Sequence, residues 1–291
     1  MKVLVTGGAG FVGTNLIRRL LKEGHEVVSI DNYSTGKKEN HIDDERVVYV
    51  EADLSAFKSK DHRYWSDFDL VYHMAAIARI QPSFDRPLDY FETNATTTYA
   101  IAYACAKANI PLIYAGSSSH HSGLYKNPYT FSKSIGEETL KLCEANYGLK
   151  YATARFYNVY GPNQLTEGGY TTLIGRWINN IEKGLPCEIY GDGEQRRDFT
   201  HVDDIVDGLL SMHSDKAYGH TFELGRGKNY SVNEVADLFG IKPEYKPAKP
   251  GEARNTLCED TSATEYLGWI PQKDLVYYIK QLSDKWQKEF S

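Results

Sequence analysis

Short apolar, β-branched runs alternate with longer amphipathic stretches through the first half of the chain: VLV from Val3, EVVSI from Glu26, VVYVEA from Val47, DLVYH from Asp69, PLIYAG from Pro111 and YATARF from Tyr151. Between them, apolar residues recur at helical spacing, most clearly over 14–23, 86–108 and 130–147. Strand, helix, strand, repeated in this way, implies parallel pairing through right-handed crossovers. The pattern predicts an α/β protein on a doubly wound parallel sheet.

After Phe156 the rhythm loosens. Glycine and proline become frequent in NVYGPNQLTEGGY, strands are isolated (CEIYG, HTFELG), and helices are expected near 172–183, 203–213, 231–239 and 274–288. This predicts a smaller α/β region intercalated with the sheet rather than a linked domain. The expected division is 1–157 plus about 195–218 for the first unit, and about 158–194 plus 219–291 for the second. KPEYKPAKPGEA at 242–253 has three prolines, which disfavour helix and central strand, and is expected to be an ordered loop.

With 41% hydrophobic and 25% charged residues the 291-residue chain can bury an ordinary core. A net charge of -6 argues against nucleic acid or an anionic membrane as the main partner. Four cysteines at 105, 143, 187 and 258 have no metal-ligand spacing, so neither zinc nor a disulfide framework is expected. No signal-peptide core or bilayer-spanning run is visible, and a cytoplasmic location is expected.

Immediately after the first strand comes GGAGFVG, with Gly7, Gly10 and Gly13 running into a helix. Glycines there permit a sharp turn and close approach to a pyrophosphate, while the helix N-terminus supplies N–H donors, the signature of a Rossmann-type dinucleotide site. Asp31 ends the second strand 18 residues beyond Gly13, where a carboxylate meets the adenosine ribose and repels a 2′-phosphate. NAD is therefore expected over NADP. Asp53 and Leu54 are candidates to flank the adenine, or else a loop aspartate and a core leucine.

Tyr129 and Lys133 form Y-x-x-x-K on one helix face. A free tyrosine titrates near pH ~10, so half-ionisation at neutrality needs a shift of about 3 units, or roughly 4 kcal/mol. An adjacent ammonium and an oxidised nicotinamide are perturbations of the required sign. The preceding strand ends in AGSSSHH, delivering Ser117, Ser118 and Ser119 to the sheet's carboxyl edge, where ligands bind. A G-x-S-x-G hydrolase elbow is excluded because His120 occupies the second glycine position. His120 and His121 face opposite ways on an extended chain and are expected to be solvated loop residues, and no metal is assigned.

On these residues the chain resembles the extended short-chain dehydrogenase/reductase family, and within it the UDP-glucose 4-epimerases and related nucleotide-sugar enzymes. The blocks are GGAGFVG, DNYSTG at 31, ADL at 52, HMAA at 73, PYTFSK at 128, RFYNVYGP at 155, IYGDGEQRRDFTHVDD at 189 and KPGE at 249. The resemblance implies an NAD site that includes Phe11, Val12, Asn32, Ser34, Thr35, Gly36, Ala75, Ala76 and Asn94 besides the residues above. It implies that Tyr129 is the base, that Lys133 binds the nicotinamide ribose and lowers the phenol pKa, and that Ser118 holds the sugar's 4-hydroxyl, with Ser117 second. Ser119, Asn158, Tyr190, Arg197, Lys249 and Glu252 would contact the nucleotide sugar, Asn158 and Arg197 at the diphosphate and Tyr190 at the base. Arg196 and Arg197 in an acidic chain also call for an anionic partner on chemical grounds, either a ligand or Asp198, Asp203 and Asp204.

The implied activity is 4-epimerisation of a UDP-hexose through a 4-keto sugar, with NAD regenerated in each cycle and retained. A homodimer through the helices near 86–108 and 130–147 is implied as well. Three departures stand out: only 11 positions separate Ser118 from Tyr129, Lys249 replaces a phosphate-binding arginine, and one extra residue falls near LCED at 257. A dehydratase would need an acidic pair where Ser118 and Ser119 stand, and a glucuronate epimerase a basic residue where Leu165 stands, so a neutral hexose, with or without N-acetylation, is expected. The alternatives are a nucleotide-sugar reductase, dehydratase or uronate epimerase and, outside enzymes, an NAD-sensing or RNA-binding member of the fold.

Overall fold

The computed structural model describes residues 1–57 and 62–289. β1 (Lys2–Thr6) leads into α1 (Phe11–Lys22), followed by β2 (Glu26–Asp31), β3 (Val47–Glu51), β4 (Leu70–His73), α2 (Gln81–Asp85), α3 (Pro87–Phe91), α4 (Thr97–Ala108), β5 (Leu112–Ser117), α5 (Pro128–Tyr147) and β6 (Tyr151–Phe156). The second half contributes α6 (Leu173–Glu182), β7 (Glu188–Tyr190), β8 (Arg196–Asp198), α7 (Val202–Ser211), β9 (Thr221–Leu224), β10 (Asn229–Ser231), α8 (Val232–Phe239), β11 (Glu244–Lys246), α9 (Ser262–Leu267) and α10 (Leu275–Glu289).

Strand alternation sends Val3 and Val5 to one face of the sheet and Leu4 to the other, and all three are buried. Both faces are covered, so the run tolerates no polar position. Leu16, Ile17 and Leu20 of α1 join Ile205 and Leu209 of α7 over the first face. Ile101 and Cys105 of α4 join Leu140 of α5 over the second. Each buried aliphatic side chain of this kind contributes about 2 kcal/mol. The strand order is β3-β2-β1-β4-β5-β6-β9, all parallel, and the reversal between β1 and β4 opens a crevice at the carboxyl ends of the strands.

The second region has its own core, with Tyr160, Trp177, Ile189, Val235, Phe239, Leu275 and Trp286 packed between α6, α8 and α10. Two small sheets, β8 with β10 and β7 with β11, complete it.

Three expectations change. HTFELG, placed in the second region, supplies β9, the seventh strand of the main sheet, because Phe222 and Leu224 reach the core beneath α7. The helix expected over 86–108 is α3 and α4 joined by a π-turn at Glu92–Thr96. The loop expected over 242–253 includes β11, three residues held between Pro243 and Pro247 at the sheet margin, where a missing N–H is harmless. Among the described residues no helix is long and apolar enough to cross a membrane, and no cluster of three metal-ligating side chains occurs.

Candidate active site

The loop from β1 to α1 is shaped by missing side chains. Gly7 has φ +69, and a Cβ on it would sit 2.8 Å from the Ala75 backbone. A Cβ on Gly13 would lie 2.2 Å from the Gly7 carbonyl oxygen, and one on Gly8 2.2 Å from Ser29 Oγ, a requirement the sequence reading missed. Gly10 caps α1 with no side-chain bond, and the first turn carries no acidic residue. The N–H groups of Phe11, Val12 and Gly13 therefore face the crevice with the positive helix end behind them, a fit for a dinucleotide's pyrophosphate.

Asp31 closes β2 with Oδ2 accepting the Ala9 N–H at 3.0 Å and Oδ1 the Tyr33 N–H at 2.8 Å, which leaves lone pairs for a ribose. Burial raises its pKa, opposed by those N–H bonds. Asn32 donates to Asp53 at 3.0 Å, and Asn32, Ser34, Thr35, Asp53 and Leu54 all border the same cavity of about 640 Å³ as Gly7, Gly10, Ala75 and Ala76. Gly36 and Asn94 do not border it. Gly36 lies beneath, its missing Cβ 3.0 Å from Ala9 and Asp31. Asn94, fully buried on the π-turn, accepts the Ile77 N–H and donates to the Ile77 carbonyl, both at 2.9 Å, so it holds the loop after β4.

Across the crevice, Asn127 caps α5 and so places Tyr129 and Lys133 one turn apart. The Tyr129 hydroxyl donates to Ser117 Oγ at 3.3 Å, and Ser117 donates onward to Ser119 at 2.9 Å. Ser117 and Ser118 both border the cavity, and Ser117, as the last strand residue, is the one bonded to the phenol. Lys133 is buried with Nζ 4.1 Å from the centre of the Tyr114 ring, and that burial, opposed by the Glu137 carboxylate, brings its pKa down to about 7. The Tyr129 pKa is raised by burial, with the Ser117 bond and the Arg79 charge pulling the other way. The acidified phenol expected from the sequence is thus not a property of the protein alone.

His120 and His121 are not simply solvated. His121 Nε2 lies 2.8 Å from Glu223, and His120 bonds Ser134 at 3.3 Å with Glu137 at 4.0 Å. Those two buried carboxylates share Arg155, at 2.6 and 2.9 Å, so a charged network sits beneath the serine run.

A second cavity of about 980 Å³ shares Arg79, Asn158, Arg197 and Glu252 with the first and continues past Tyr190 and Lys249. Arg197 pairs with Glu252 at 3.3 Å, whereas Arg196 turns to Glu234 at 2.8 Å; Asp198, Asp203 and Asp204 are not their partners. Lys249 Nζ lies 3.5 Å above the Tyr190 ring centre. Asn158 donates to the Asp198 carbonyl at 3.0 Å and to Thr256 at 3.2 Å, which ties the wall between the cavities together. Sequence reading missed Arg79 and Arg176, both on these walls. Neither lies in a motif with a known spacing, and only the fold brings them in.

Residues 3–225 match the family model described as the NAD dependent epimerase/dehydratase family. The chain is 30% identical to the UDP-glucose 4-epimerase of Mycolicibacterium smegmatis, over 94% of each protein. It is 31% identical to a UDP-N-acetyl-alpha-D-glucosaminuronate decarboxylase of Bacillus cytotoxicus, over 81% of this chain and 78% of that one. The crystal structure of a Thermotoga maritima UDP-glucose 4-epimerase with UDP-glucose superposes with a TM-score of 0.90 at 28% identity, covering all of both chains.

Proposed function

We propose, from the premise that this chain belongs to the NAD dependent epimerase/dehydratase family and is an NAD-dependent enzyme of nucleotide sugars, that it inverts C4 of a UDP-hexose whose sugar is neutral, of the glucose/galactose type with or without N-acetylation. The observation that carries this reading is the Tyr129–Ser117 contact, which lines the cavity walled by the glycine turn, and that cavity shares Arg79, Asn158 and Arg197 with the one walled by Tyr190.

In this reading the N–H groups from Gly10 to Gly13 hold the cofactor's pyrophosphate and Asp31 its adenosine ribose, with Asn32, Ser34, Thr35, Asp53 and Leu54 around the adenosine. Lys133, which has no carboxylate at ion-pair distance among the described residues, holds the other ribose. Bound NAD supplies a reversible two-electron acceptor, which lets C4 pass through a ketone and back. Tyr129 takes the proton of the 4-hydroxyl as that ketone forms and returns it as the ketone is reduced, and Ser117 keeps the sugar oxygen in line with the phenol. Arg197, Asn158 and Lys249 grip the diphosphate, and Tyr190 lies against the base, with Lys249 shifting from the ring face on binding. Gripping the sugar nucleotide at its diphosphate leaves the hexose free to present either face.

A neutral hexose is favoured because Leu165, which cannot bind a carboxylate, borders the same cavity as Tyr129. The test is to denature the purified protein, identify the released nucleotide, and follow UDP-glucose, UDP-galactose, their N-acetyl forms and UDP-glucuronate by NMR. Released NAD and interconversion of C4 epimers are expected. Preferred turnover of the uronate, or stoichiometric loss of NADH, would replace this reading with a uronate enzyme or a reductase.

A further inference from the structure

Behind the proposed base lies a row of side chains that the acid–base chemistry does not use. Sheet register sets Gly116 of β5 beside Arg155 of β6, and Arg155 beside Glu223 of β9. Paired residues on neighbouring strands project to one face. Glu137 of α5 meets them there: Arg155 donates to Glu137 at 2.6 Å and to Glu223 at 2.9 Å, and the three side chains are only 13%, 6% and 8% exposed. A Cβ on Gly116 would sit 2.8 Å from Glu137 Oε1 and 3.0 Å from Arg155 Cγ, so this network reaches the residue that precedes Ser117.

One guanidinium thus serves two enclosed carboxylates, which call for further donors. His121 supplies one, with Nε2 2.8 Å from the Glu223 Oε1 that Arg155 also bonds. His120, next to it, bonds Ser134 of α5 at 3.3 Å, a longer contact with a neutral partner. His121 belongs to the helical turn Ser118–Ser122, and that turn orients Ser117. The Ser119 N–H donates to Ser117 Oγ at 3.2 Å, the Tyr129 hydroxyl donates to it at 3.3 Å, and the Ser117 proton goes to Ser119 Oγ at 2.9 Å. Two lone pairs and one proton are all a serine hydroxyl has, so where Ser119 stands sets the direction of Ser117.

We propose that His121 is a positioning residue for the acid–base step: its bond to Glu223 moors the Ser118–Ser122 turn to the Arg155 network, and the moored turn aims the Ser117 hydroxyl at Tyr129. His121 borders neither cavity and exchanges no proton with the ligands; it acts through Ser119 and Ser117. The inference rests on the role proposed above for Ser117.

His121→Gln keeps a donor where Nε2 stands, whereas His121→Asn and His121→Ala are too short to reach Glu223. The His121 side chain is 52% exposed, so the site tolerates each of them. Asn and Ala are expected to lower kcat for UDP-glucose about tenfold, with KM and bound NAD nearly unchanged, and Gln to recover most of the loss. In a Ser117→Ala background the loss of His121 is expected to cost nothing further, because the hydroxyl it aims is gone. Amide exchange over 118–123, followed by mass spectrometry on NAD-loaded protein, is expected to quicken about tenfold in Asn and Ala and to return in Gln. Losses that add in the Ser117→Ala background overturn the proposal, as does a Gln variant impaired like Asn, or exchange that does not move. If the parent protein turns over no hexose, the epimerase reading fails, while the exchange comparison still decides whether His121 moors the turn.

Discussion

Among the described residues, the serine that the Tyr129 hydroxyl bonds is Ser117, at 3.3 Å. Ser117 ends β5 with its side chain fixed by the strand and by its bond to Ser119, whereas Ser118 begins the following turn. Replacing Ser117 with alanine is therefore expected to lower kcat about 10²-fold, within the range of a lost acid–base partner, while Ser118→Ala changes it less than about threefold. Steady-state kinetics on both variants check the assignment, and a larger loss at Ser118 would return the role to that residue. The sequence placed three serines at the sheet edge, and the resemblance ranked Ser118 first with Ser117 second.

At the scale of elements, α5 carries Tyr129, Lys133 and Glu137 at four-residue spacing, so one helix sets the base, the amine beside it and the carboxylate behind. Burial lowers the Lys133 pKa from its usual 10.5 to about 7. The unfolded chain then binds more protons than the folded one between those values, and stability rises with pH across that window. Nucleotide-free protein is expected to gain about 2 kcal/mol from Lys133 between about pH 7 and pH 9, and Lys133→Met to lose that gain. Urea unfolding at the two pH values measures it, and equal gains in both proteins would show the amine to be solvated. The glycine turn, Asp31 and the Tyr129–Lys133 pair were legible in the sequence because local spacing sets their geometry. Arg79, the Glu137–Arg155–Glu223 network and the seventh strand were not, because each depends on residues far apart in the chain meeting across the sheet.

For the whole molecule, the joined cavities account for the ligands, but α3 also leaves Leu88 82% exposed and α5 leaves Leu142 50% exposed. Exposed apolar side chains on these two helices fit the homodimer that the resemblance implies through them. Sedimentation equilibrium is expected to show a dimer, and Leu88→Glu combined with Leu142→Glu a monomer with unchanged nucleotide content; a monomeric parent protein would remove that assignment. The central claim, oxidation at C4 followed by return of the same hydrogen, is tested most directly by NMR of UDP-galactose incubated with the enzyme in deuterium oxide. The expected result is UDP-glucose that keeps protium at C4. Deuterium at C4 or C5 of the product, or a product lacking a hydroxyl or the C6 carbon, would contradict it.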